Sequence, residues 1–503
     1  MSTLSMPAGA QSTDAPVVTE AVQVTDNPDP VRAHSSPQIA VNPTNGELII
    51  VETNVFEGFS VNVHLSIDEG RTWFDGGDPM VEPFTWNSDL AINGPYFTMA
   101  FDEEGTLFLA FSATDPTFAD LNRGDRPRHI FVARSDDGGR SWETNMAFEA
   151  PADDEDALDN RRPVIAVDPS DSTYVYLGWM SGGGGVLAAS SDGGRTFSDP
   201  VPAGEGEGRV YQPRLAVDGE GVAHAVIPSG AFDPEQPVAR EVSYRRSSDH
   251  GQTWSEPVVI EPGSAGFFHN RKQVLAADPE TGNLYFAWYG TTEEFPDNED
   301  DNEIFVRTST DGGDTWSDRT IVNDDAEHPN TQHYDPGIAI APNGRVDLAW
   351  YDFRNSPEPE TLPEEFGAPF NFGGFTDVYY SSSDNAGRTW EENIRVTDRI
   401  IDRRIGVWSN NIHSHYNVGI ASTNDTVYFA WQDSRNGDEV TNAEDVYFAS
   451  LHRDGTTVSA EQGGQGWAIG GGAGVLLGMG LAMVLATVVI RRKASTTRPP
   501  APA

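Results

Sequence analysis

Cysteine is absent from this 503-residue chain, so it has neither a disulfide framework nor thiol chemistry. Lysine is almost absent: Lys272 and Lys493 are the only two. Basic residues number 32 against 78 acidic ones, a formal charge of −46, which argues against nucleic acid as a partner. A dense carboxylate surface stays hydrated when salt screens its repulsion, so the composition reads as salt adaptation, in an archaeal halophile. The acidic runs PADDEDALDN from Pro151 and DNEDDNE from Asp297 lack EF-hand spacing. They read as solvated loops, with Ca²⁺ binding left open and no cofactor required.

One short pattern recurs: SIDEGRTW from Ser66, SDDGGRSW from Ser135, SSDGGRTF from Ser190, SSDHGQTW from Ser247, STDGGDTW from Ser309 and SSDNAGRTW from Ser382. Copies follow alternating apolar runs such as VNVHL, HIFVAR and EIFVRT, which predicts a hairpin turn between two strands. Asp68, Asp137, Asp192, Asp249, Asp311 and Asp384 are expected to accept hydrogen bonds from their own turns. Glycine supplies a left-handed backbone angle, and the closing aromatic buries against a neighbouring layer. In the last copy one extra residue separates Asp384 from Gly387, which predicts a bulged turn.

These repeats resemble the Asp-box repeats of the sialidase superfamily, and the resemblance spans about residues 18–455. It implies an all-β fold, a β-propeller, with the repeats between the third and fourth strands of each blade, on the face opposite the ligand site. The blades can also be counted by their opening strands. Seven align on a shared alanine: Ala40, Ala100, Ala166, Ala216, Ala276, Ala339 and Ala421. Seven blades are therefore expected, with six, the usual sialidase number, as the alternative. The seventh blade has no motif after DVYFASLH, so AVQVTDNP from Ala21 is expected to supply its outer strand and close the ring.

The chain ends differ in character. Residues 1–17 read as a leader remnant or a disordered segment, although MSTLSMPAGAQSTDAPVV has no charged n-region and no apolar h-region. After a linker at 456–466, residues 467–490 are uncharged and long enough to span a bilayer as a helix. Arg491, Arg492 and Lys493 then open a tail, 491–503, that the positive-inside rule places in the cytoplasm. The expectation is a single-pass protein of the cell membrane with its propeller outside.

Long connections occur on the face opposite the motif turns, from Phe74, Ser356 and Val396. Inner strands bring Arg161, Arg271, Tyr334 and Tyr416 to the mouth of the channel, with His34, His333 and His415 one position earlier. Blades six and seven carry the matching motifs WYDFRN and WQDSRN. One reading makes Asp352 with Arg354, and Asp433 with Arg435, ion pairs that pin loops. The other is a ligand cavity, with Arg161, Arg162, Arg271, Arg354 and Arg435 as a carboxylate clamp and Trp350, Trp431 and Tyr289 as sugar-stacking surfaces. Sialidases use a Tyr nucleophile activated by a Glu, with an Asp acid/base. By resemblance, Tyr416 or Tyr334 takes the first role and Asp335 or Asp352 the last, with no activating Glu identified. Convergence of His34, His333 and His415 on a metal is a third reading. The expected function is carbohydrate recognition with exo-glycosidase activity of the sialidase type, on a glycan or glycoconjugate. The alternative is a non-catalytic adhesion scaffold for a surface protein.

Overall fold

Apolar runs punctuated by turns form seven antiparallel sheets in the computed structural model. It describes residues 16–29, 32–54, 60–86, 97–115, 127–151, 160–182, 184–204, 212–229, 241–262, 273–291, 302–325, 331–356, 374–406 and 418–453. The predicted spanning segment, linker and tail lie outside these, as does most of the leader. Among the described residues no helix is long and apolar enough to cross a membrane.

The inner strands are His34–Val41, Phe97–Phe101, Arg161–Val167, Arg214–Val217, Val274–Ala277, His333–Ile340 and Gly419–Ser422. Each pairs with the strand that follows it, and in every blade but the seventh the order from the inner strand outward follows the chain. Second strands such as Leu48–Asn54, Val346–Asp352 and Thr426–Asp433 are buried along their whole length. They are covered on both faces by neighbouring blades, which is why they read as unbroken apolar runs. Ring closure is as expected from AVQVTDNP: Val22 and Gln23 pair with Phe448 and Tyr447. Val17 and Val18 extend the same edge against His452 and Leu451. A core of Ile39, Leu48 and Ile50 with Tyr428, Ala430 and Phe448 seals blade seven to blade one.

The motif turns lie between third and fourth strands. In the first, Ser66 Oγ donates to Asp68 Oδ1 at 2.9 Å, and the backbone N–H of Thr72 reaches the same oxygen at 2.9 Å. Thr72 Oγ1 donates to Asp68 Oδ2 at 2.6 Å, and the Gly70 N–H to Ser66 Oγ at 2.9 Å. In the fifth, the same bonds from Thr315 and Ser309 hold the Asp311 carboxyl down to about 2. Gly313 has φ +91, and a Cβ there would lie 2.2 Å from the Tyr244 ring of the preceding blade. Trp73 meets Phe448 of blade seven edge-on, with ring centroids 5.3 Å apart.

The sixth turn corrects the expected frame. Ser383 and Asn385, not Ser382 and Asp384, occupy the motif positions, and the spacing to Gly387 and Thr389 is then the ordinary one. Asn385 Oδ1 lies 3.0 Å from Ser383 Oγ and accepts the Thr389 N–H at 3.0 Å. Asn385 Nδ2 donates to Thr389 Oγ1 at 2.7 Å, reversing the usual side-chain bond. An amide thus replaces the carboxylate, and no bulge is needed. Asp384 points outward, 61% exposed and 3.8 Å from Arg453.

Candidate functional site

The WYDFRN and WQDSRN motifs form one repeated device at the upper ends of blades six and seven. Trp350 Nε1 donates to Asp352 Oδ2 at 2.9 Å, and Trp431 Nε1 to Asp433 Oδ2 at 3.1 Å. Arg354 turns back onto Asp352 at 2.8 Å and stacks 4.1 Å over the Tyr379 ring; Arg435 does the same with Asp433 at 2.7 Å and Tyr447 at 4.1 Å. Each guanidinium also reaches an acid of the preceding outer edge, Asp324 or Asp398, at 2.8 Å. Asn355 Nδ2 bonds Asp377 and Tyr379, while Asn436 Nδ2 bonds Asp445 and Tyr447. Arg354 and Arg435 therefore pin loops, as the first reading expects, and their donors are spent on the chain's own carboxylates. Trp350 and Trp431 are 0% exposed, so the stacking role expected of them is corrected: sealed rings offer no face to a sugar. Tyr289 is likewise buried.

Tyr334 is also a core residue. Its ring packs edge-on against Tyr289 and Phe353, at 5.0 and 5.8 Å, and its hydroxyl receives Asn302 Nδ2 at 3.3 Å. Asp352, fully buried, accepts hydrogen bonds from Trp350 and Arg354, an environment that keeps it ionised rather than a proton donor. Burial raises its pKa, but His333 and Arg354 outweigh that and hold it low. Arg271, Tyr416 and His415 lie outside the described residues, as do most of the acidic runs and long loops.

His34 and His333 sit in blades one and six, with blade seven between them, and each is engaged by a different set of carboxylates. The shared three-histidine centre is therefore not what the described pair builds. His34 Nδ1 lies 2.9 Å from Glu52 Oε1, which also accepts Asn62 at 2.7 Å and stands 3.4 Å from His64 Nε2. Burial disfavours the His64 cation, but Asp75 and Glu52 outweigh it and lift its pKa to about 9. Glu52, fully buried between two imidazoles, is held at about 2 by His34 and His64 against its own burial. His333 donates Nδ1–H to the Asn302 carbonyl, and its Nε2 is 3.1 Å from Asp325 and 3.4 Å from Asp352.

Three inner strands share a local distortion. The register shifts at Ser35–Gln38, Arg161–Val164 and Tyr334–Gly337. Ser36, Arg162 and Asp335, each before a proline, have φ of 54°, 57° and 57°. A left-handed residue before proline is strained and persists only where its surroundings hold it. Arg162 is buried, and Arg161 is half-buried and paired through its backbone with Met180. On the next blade Arg214 is buried too and donates Nε–H to the Gln273 carbonyl. Burial, and then the like charge of Arg162, bring its pKa down to about 9. Two neighbouring inner strands thus concentrate buried positive charge in a strongly acidic protein.

Between the upper ends of blades six and seven lies a small recess, lined by Tyr351, Asp402, Arg403, Gln432, Ser434 and Glu444 among others. Gln432 links two of these: its backbone N–H donates to the Tyr351 hydroxyl at 3.2 Å, and its Nε2 donates to Glu444 Oε1. Arg403 lies over the Tyr351 and Phe353 rings at 5.9 and 5.8 Å. Burial raises the Tyr351 phenol; the Gln432 N–H and Arg403 oppose this, while Asp335 and Asp433 add to it. Gly406 admits the Glu444 carboxylate, since a Cβ there would lie 2.2 Å from Oε1. Of the residues expected from sequence, Asp335 acts here as a nearby charge that raises the Tyr351 phenol. Tyr351, Arg403, Gln432 and Glu444 were missed. The available signal was strand alternation: Tyr351 and Gln432 hold the same place in the two matching motifs and face away from the buried tryptophans.

No family model matches the chain. A sialidase of Micromonospora viridifaciens is 30% identical over 235 residues, 41% of this chain and 34% of the relative, so the match spans about a third of that protein. Among solved structures, a protein of unknown function from Dyadobacter fermentans superposes with a TM-score of 0.49 at 14% identity, over 87% of this chain and 99% of that one. A sialidase of Streptococcus pneumoniae gives 0.45 at 11%, over 69% and 68%. The chain is thus a seven-bladed β-propeller that, over 235 residues, is similar in sequence to a sialidase.

Proposed function

We propose that the propeller binds carbohydrate at its upper face and hydrolyses a terminal glycosidic bond there, as an exo-glycosidase of sialidase type. The observation that carries this reading is the recess in which Tyr351, Glu444 and Arg403 meet, on the face away from the motif turns. Gln432 joins the two residues, its backbone N–H donating to the Tyr351 hydroxyl and its Nε2 to Glu444. Tyr351 is then the nucleophile, Glu444 its base and Asp335 the acid/base. Arg403, with Arg162 and Arg214, supplies the positive charge that receives an anionic sugar. The curated relative named a sialidase supports the same class.

A non-catalytic binding scaffold is the second reading, and it is favoured by the Tyr351 phenol, whose burial opposes ionisation. Fluorogenic glycosides, sialoside included, offered to the full chain in molar salt separate the two. The first reading expects turnover that Glu444→Gln and Arg403→Ala each reduce at least a hundredfold in folded protein. Absence of turnover with retained glycan binding supports the scaffold. We also propose display at the cell surface through residues 467–490, which protease digestion of intact cells tests by removing an exposed propeller.

A further inference from the structure

We propose that His333, Asp325 and Asp352, joined by Glu303, form a binding site for a divalent transition-metal cation at the joint between blades five and six. The inference is independent of the carbohydrate reading. Its four residues come from four places in the chain: Asn302–Ser309, the connection after Thr320–Ile321, His333–Ile340 and Val346–Asp352.

The imidazole is oriented for ligation. Its Nδ1–H goes to the Asn302 carbonyl, so Nε2 faces Asp325 and Asp352; against its burial, these acids raise the imidazole's pKa well above its ordinary value, and the proton they favour is what an ion must displace. Nε2 is buried, His333 being 1% exposed, and it makes no hydrogen bond. Asp325 Oδ1 at 3.1 Å and Asp352 Oδ2 at 3.4 Å flank it without meeting hydrogen-bond geometry. Those are the separations of ligand atoms sharing one ion: at about 2.1 Å from a metal, two ligands lie about 3.0–3.4 Å apart between right-angled and tetrahedral geometry. Ligand atoms of Glu303, Asp325 and His333 fall within 4.8 Å of one another.

Charge and access agree with this. Asp325 and Asp352 face Nε2, Glu303 lies 3.9 Å from Nδ1, and Arg354 is the guanidinium that faces the two aspartates, 3.5 Å from Asp325 and 2.8 Å from Asp352. With neutral His333 as ligand, carboxylates outnumber that cation. Asn323 Nδ2 now bridges Glu303 and Asp325, so it yields its contacts when an ion enters. Glu303 is 20% exposed and marks the way in. Imidazole with carboxylates suits Zn²⁺, Co²⁺ or Mn²⁺ better than an all-oxygen Ca²⁺ site. A proton and a metal are alternative occupants of the same lone pair. Asp352 follows Tyr351, and His333 lies two residues before Asp335, so an ion here stiffens one wall of the recess.

The test is titration of the full chain, stripped with chelator in molar salt, with Co²⁺, followed by its visible absorption and by melting temperature. The expected result is one equivalent bound with ligand-field bands in the visible and a saturable rise in melting temperature. Asp325→Asn and His333→Asn should abolish both. Because a buried histidine variant can fail to fold, the half-buried Glu303→Gln serves as a second probe, with affinity at least tenfold weaker in folded protein. Asp137→Asn, in a distant motif turn, should change neither readout. Absence of visible bands and of a melting shift in the folded wild type, or equal binding by Asp325→Asn, overturns the proposal.

Discussion

At the lower end of a blade, the turn at Ser66–Trp73 satisfies its carboxylate from residues no more than four positions away. At the upper end, Arg354 reaches across 30 residues to Asp324, Arg435 across 37 to Asp398, and Arg32 across 413 to Asp445. Both ends solve one problem, that of polar groups left where strands stop. The local solution repeats around the ring, while the long-range one is shared by blades six and seven and takes another form at Arg32. Diversity on one face is what a recognition surface needs, and the repeated turns on the other free that face to vary.

The contrast is broken most severely at the upper face. Asp352→Ala removes a carboxylate that is 0% exposed and leaves Arg354, His333 and the Trp350 N–H without it. It should destabilise the folded state by about 3–5 kcal/mol, as read by denaturant unfolding in molar salt. A loss below about 1 kcal/mol would show that the pinning is incidental.

Blade one should contribute a pH dependence of stability at both ends of the range. His64 is lifted from 6.5 to about 9, so its contribution is complete below about 6.5 and is lost as pH rises through 9. Glu52 is lowered from 4.5 to about 2, so its contribution is complete above about 4.5 and is lost as pH falls through 2. The melting temperature should therefore be flat between about 4.5 and 6.5 from these groups and fall toward pH 9, with His64→Gln flattening the alkaline limb. An unchanged limb in that variant would assign it elsewhere.

Smaller effects belong to the lower face. Asp68→Ala removes bonds made within one half-exposed turn and should cost about 1–2 kcal/mol in the same unfolding measurement. Asn385→Asp restores the carboxylate of the other turns and should shift stability by no more than about 0.5 kcal/mol. A large loss from it would mean that the amide bond to Thr389 is specifically required.

What the sequence made legible follows the same division. Seven opening strands, the turn motif and closure through AVQVTDNP could be read because each is a local pattern repeated at a fixed interval. The sixth turn is hard to frame because SSD presents Asp384 as an anchor, whereas spacing from Gly387 points to Asn385. WYDFRN and WQDSRN were visible as a pair, but their burial was not, since it depends on the blades packed against them. Arg403 and Glu444 carried no signal: they come from a connection and from the start of a third strand, and only the join of blades six and seven brings them to Tyr351. The bulges that expose Arg162 and Asp335 to strain were foreshadowed only by Pro163 and Pro336.

The division of labour between faces is tested most directly by measuring glycoside turnover and melting temperature on Glu444→Gln and Asp68→Ala side by side in molar salt. The account predicts that Glu444→Gln loses turnover with its melting temperature within a few degrees of wild type, and that Asp68→Ala melts earlier yet turns over normally while folded. Full turnover in Glu444→Gln, or its loss in folded Asp68→Ala, would contradict it.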